Sequence, residues 1–112
     1  MHDVEQMMRQ RVRELEKQQV PYIAYCHYRD GARGVVIYPL IPQNFLIPAV
    51  KFDKTNPLAA NSLRHLQRTI DRCCVWPPST VTVMANLAPL SQEDQAKVLK
   101  LVPAVMNAES FN

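Results

Sequence analysis

The chain has 112 residues, 47% of them hydrophobic and 21% charged, with a formal net charge of +3 at pH 7. This apolar content excludes a disordered chain, which could not offset its ordering entropy, and the length implies one domain over 1–112 built on one core. The modest charge excludes a histone-like basic coat, so attraction for an anionic partner has to come from local clustering.

Residues Asp3 to Gln19 are predicted to form a helix, because Val4, Met7, Met8, Val12 and Leu15 keep the three-and-four spacing of a buried stripe. Asp3 stands in position for its N-cap, and Pro21 forces its end. Arg9, Arg13 and Lys17 lie opposite the stripe, with Glu5, Glu14 and Glu16 close enough to offset them. Arg11 falls within the apolar arc, where its stem is expected to lie along the core edge.

Tyr22 to Tyr28 and Val35 to Tyr38 are rich in aromatic and β-branched residues and predict a hairpin, with residues 29–34 supplying both glycines of the chain to the turn. From Gly34 to Val50 there is no charged residue, yet Pro39, Pro42 and Pro48 remove ladder donors. An edge strand or an extended apolar loop is expected around Phe45 to Phe52.

Asn56-Pro57 opens a second helix, a cap residue followed by proline at the first helical position. It runs to about Cys74, and Trp76-Pro77-Pro78 breaks it. Ser79 to Leu87 then alternates Val81, Val83, Ala85 and Leu87 against Thr80, Thr82, Met84 and Asn86, a half-buried strand. Ser91 and Asp94 resemble a capping box for a last helix with Ala96, Leu99 and Val102 inward. Pro103 ends it, and Val105 and Met106 are expected to continue as a separate turn. The order α-β-β-(β)-α-β-α predicts an α+β fold: a small antiparallel or mixed sheet of three or four strands with helices packed on one face.

Several chemistries are excluded or weakened. Both glycines fall in one turn, so glycine-rich phosphate loops and the serine elbow of hydrolases have no counterpart. Three cysteines, two of them adjacent, do not suit a disulfide framework. Cys26, His27, His65, Cys73 and Cys74 have metal-binding side chains at no recognised spacing, so neither metal nor cofactor is expected. Cys26 and His27, as strand neighbours, point to opposite faces and cannot act as nucleophile and base, and the carboxylates are scattered. The chain reads as non-catalytic. The N-terminal residues do not resemble a leader and no apolar run approaches a membrane span, so a cytoplasmic, membrane-free protein is expected.

The sharper signal is Arg64, Arg68 and Arg72, which line one side of the second helix while Leu63, Leu66, Ile70 and Cys73 line the other. Like charges four residues apart repel, and on this helix only Asp71 is at hand to compensate, through Arg68 or the solvent. Arginine rather than lysine suits bidentate contact with phosphate. Arg29 and Arg33 at the hairpin tip would extend the surface, and Tyr22, Tyr25, Tyr28 and Tyr38 would offer stacking platforms. The two basic ridges together would hold an acidic partner. The function expected is a small binding protein contacting a polyanion, foremost nucleic-acid phosphates. The alternative is an interaction adaptor or homodimer acting through the uncharged 34–50 segment, with Leu40, Ile41, Phe45, Leu46 and Ile47, together with Trp76, at the protein interface.

Overall fold

A computed structural model describes residues 2–29, 32–40, 57–75 and 80–108. The expected strand or loop near Phe45 to Phe52 lies outside them. In chain order the elements are α1 (His2–Lys17), β1 (Tyr22–Arg29), β2 (Ala32–Pro39), α2 (Pro57–Val75), β3 (Thr80–Asn86), α3 (Gln92–Leu101) and a 3₁₀ turn (Pro103–Asn107). This is the α+β class, with an antiparallel sheet in the order β2-β1-β3.

β1 is the central strand, and its alternation divides the core in two. Tyr22, Ala24 and Cys26 pack with Val4, Met8 and Val12 of α1 and with Met84. Ile23 and Tyr25 pack with Leu63, Leu66 and Ile70 of α2, Val98 of α3, and Val102 and Val105 beyond it. The helices therefore cover both faces of the sheet, α1 on one and α2 with α3 on the other, rather than one face as the element order suggested. A central strand with apolar residues at every position from Tyr22 to Cys26 can bury both sides only if each is covered. β3 shows the same effect: Val81, Val83 and Ala85 meet the α2 side, but Met84, expected on the open face, is fully buried beneath α1.

Asp3 is not an N-cap but lies within the first turn of α1. The helix ends in a Schellman arrangement: Val20 N–H donates to Leu15 O (2.9 Å) and Gln19 N–H to Glu16 O (3.1 Å). Gln19 occupies the left-handed position, with φ of 56°. A side chain there costs about 1 kcal/mol that glycine avoids, so Gln19→Gly is expected to raise stability by up to that amount, read as a higher urea midpoint at unchanged m value.

The hairpin is longer than expected. Arg29 pairs with Ala32, leaving only Asp30 and Gly31 between the strands, and Gly34 is not in the turn but in β2, opposite His27. A Cβ at Gly34 would come within 2.8 Å of His27 Nε2, so the missing side chain makes room for the imidazole. The Leu40 N–H donates to Pro21 O (2.8 Å), extending the ladder by one bond.

Ser91 caps α3 as the sequence implies, its hydroxyl accepting from the Asp94 N–H (3.1 Å). The inner face is formed by Asp94, Val98 and Val102 with Leu99 packed half-buried against the same core, as expected for Leu99 and Val102, whereas Ala96, expected inward, is exposed. Asp94 is buried with Oδ1 lacking a hydrogen-bond partner among the described residues. Burial raises its pKa above the ordinary aspartate value, with the Ser91 hydroxyl and the Lys97 ammonium opposing. A raised folded-state pKa contributes stability that is complete below the unfolded value and lost as pH rises through the folded one. Asp94→Asn removes this titration. Its stability advantage over the parent is expected to be larger at pH 7 than at pH 3, as measured by urea unfolding at both.

Candidate functional site

α2 presents Leu63, Leu66 and Ile70 to the core, and all three are buried. At 100° per residue, the positions diametrically opposite are those of Arg64, Arg68 and Arg72, and each of these is exposed. None makes an ion pair with a described residue. The guanidiniums rise about 6 Å per step, so the ridge runs about 12 Å along the helix.

Asp71, the one acid of α2, makes its hydrogen bond with a neutral amide rather than with a guanidinium. Its Oδ1 accepts from Gln67 Nε2 at 2.7 Å, and the other end of the same amide, Oε1, accepts from the Ala104 N–H at 3.0 Å. Gln67 thus joins α2 to the 3₁₀ turn and also donates to the Asp71 carboxylate. The sequence expected Asp71 to meet Arg68 or solvent. It did not single out Gln67, whose partner in the turn is 37 residues distant.

His65 is exposed beside the ridge, with its backbone carbonyl accepting from Thr69 Oγ1 (3.0 Å). Tyr22 and Tyr25 are buried and cannot stack on a ligand, Tyr38 is half-buried, and the side chain of Tyr28 lies outside the described residues. The Tyr22 hydroxyl donates to Glu16 Oε2 at 2.8 Å, and burial together with that carboxylate pushes its pKa well up. The side chains of Arg29 and Arg33 also lie outside the described residues. The ladder pairs Arg29 with Ala32 and Arg33 with Tyr28.

Cys26 and His27 fall on opposite sides of β1. Cys26 is buried against α1, its thiol pushed up in pKa first by that burial, while His27 stacks with Tyr25 on the other face (ring centroids 6.3 Å apart). Among the described residues no group of three or more His, Cys, Asp and Glu side chains is placed to hold a metal ion. Cys73, Cys74 and Trp76, like Ile41, Phe45, Leu46 and Ile47, lie outside the residues whose side chains are described. Leu40, assigned by sequence to a protein interface, is fully buried in the core of this chain. Among the described residues no helix is long and apolar enough to cross a membrane.

Fold and site together define a small α+β domain with an arginine-faced helix. No family model, no curated protein and no solved structure matches the chain.

Proposed function

We propose that this chain is a small non-catalytic binding protein that contacts a polyanion, foremost the phosphates of a nucleic acid, through Arg64, Arg68 and Arg72. The observation that carries this reading is that three arginines share one exposed helix line without an ion pair to any described residue, while the adjacent acid makes its hydrogen bond with Gln67. Uncompensated guanidiniums four residues apart repel one another, and an anionic ligand removes that cost. Phosphates of one strand rise about 3.4 Å apart, so a ridge of about 12 Å spans roughly three or four of them. Tyr22 and Tyr25 are buried and cannot stack on a base, which favours contact with the phosphate backbone. The alternative interface has less support: Leu40 is buried within the chain, and its other members lie outside the described residues.

The test is fluorescence anisotropy of a labelled duplex and a labelled single strand over a range of salt concentrations. Binding should occur at low ionic strength and weaken linearly in log–log form. No binding to either at low salt would overturn the proposal.

A further inference from the structure

We infer that the outer edge of β3 pairs with the same edge of a second copy of this chain, joining two three-stranded sheets into one. The inference stands apart from the polyanion reading of α2, and its surface is not the 34–50 segment. One hydrogen bond fixes the direction of every backbone group in the sheet. Leu40 N–H donates to Pro21 O across β1 and β2, so that pair is hydrogen-bonded, and in an antiparallel ladder bonded and non-bonded pairs alternate. Along the register, Ile23, Tyr25 and His27 therefore turn their N–H and C=O groups toward β2, and Tyr22, Ala24, Cys26 and Tyr28 turn theirs toward β3. On β3 the groups of Thr80, Thr82, Met84 and Asn86 are engaged with β1. Those of Val81, Val83 and Ala85 face the outer edge, where among the described residues no strand lies and no backbone hydrogen bond from outside the sheet reaches them.

The two edges of the sheet differ in how they resist pairing. On β2 the outward positions are Arg33, Val35, Ile37 and Pro39, so that edge carries a cation and ends at a residue with no donor. β3 has no charge, proline or glycine, and Thr80, Val81, Thr82 and Val83 are all β-branched. An open edge of this composition is a template for another strand. The occupant that fits is a second copy, because the strand complements itself. Antiparallel pairing with Val83 opposite Val83 of the copy sets Val81 opposite its Ala85, and every outward donor meets an outward acceptor. The side chains at these positions all belong to the apolar α2 side of the sheet, so the row of one molecule runs on into that of the other, and no like charges are opposed. The two-fold axis stands normal to the sheet, which places both α2 helices, with their arginine rows, on one side of it.

The experiment is sedimentation equilibrium up to about 1 mM protein, with amide hydrogen exchange followed by NMR at low and high concentration. A dimer insensitive to salt is expected. The Val81, Val83 and Ala85 amides, open in the monomer, should slow in exchange as it forms, while those of Thr82 and Met84 stay protected throughout. Val83→Pro removes the donor at the two-fold axis without breaking a bond to β1, and should weaken the dimer by roughly thirtyfold, as for two hydrogen bonds of ordinary net worth. Val35→Pro makes the same change on the outer edge of β2 and should leave the dimer unaltered. Circular dichroism checks the folding of both variants, and where either fails to fold the exchange pattern of the parent decides. A monomer at every concentration overturns the inference. So does equal weakening by both proline variants, or a dimer whose formation leaves the Val81, Val83 and Ala85 amides in fast exchange, since it then uses another surface.

Discussion

Alanine at Arg64, Arg68 and Arg72 together is expected to lower affinity for a nucleic-acid duplex by about a hundredfold at physiological salt and to flatten the log–log salt slope by about 2.7. Each guanidinium that neutralises a phosphate releases condensed counterions, and three such contacts account for both figures. The same substitution should leave the fold intact or slightly more stable. All three side chains are exposed without described ion-pair partners, their removal relieves like-charge repulsion worth a few tenths of a kcal/mol per pair, and alanine is the best helix former (roughly 0.2–0.5 kcal/mol per pair for the charges). Opposite signs for binding and stability separate a functional ridge from a structural one. A lysine triple variant should keep most of the salt slope while losing affinity that depends on bidentate geometry. Unchanged affinity and slope in the alanine variant would leave the ridge a merely solvated helix face.

Ile23→Ala should be the most damaging of the simple core truncations, at about 2–5 kcal/mol measured by urea unfolding. Ile23 is fully buried on the central strand, in the cluster formed with Leu63, Leu66 and Ile70 of α2 and with Val98 and Val102. Neighbours on a hydrogen-bonded strand and a packed helix have little room to collapse into the cavity. Since the total stability of a domain is about 5–15 kcal/mol, this one change should consume a large fraction of it. Val36→Ala on edge strand β2 serves as the comparison: at 38% exposed, Val36 should cost less than about 1 kcal/mol. Similar losses at the two positions would contradict the division between a covered centre and an open edge.

The arginine row was legible because helical period depends on residues within a few positions of each other, and Leu63, Leu66 and Ile70 set its phase. The hydrogen-bond partner of Asp71 was not legible, because Gln67, which donates to it, is positioned by an Ala104 amide far along the chain. Glu5 pairs with Arg9 as its spacing implies, but the strand partners of the α1 acids, Thr82 for Glu5 and Tyr22 and Asn86 for Glu16, were not legible. Gly34 was assigned to a turn by its residue type, yet it lies in β2 because His27, its cross-strand partner, needs the space.

What residue order settled unaided was the element sequence: three helices, the hairpin, the later strand, the Ser91 cap and the stop at Pro103. Those are local matters of period, capping and donor loss, decided over a turn or two of chain. Which sheet face each helix would cover, and hence that Met84 is buried and the basic rows stand back to back, depended on β1 lying between β2 and β3. Pairing of distant strands and the burial it demands act through space, so alternation along β1 could show that two faces were apolar but not which helix would close each one.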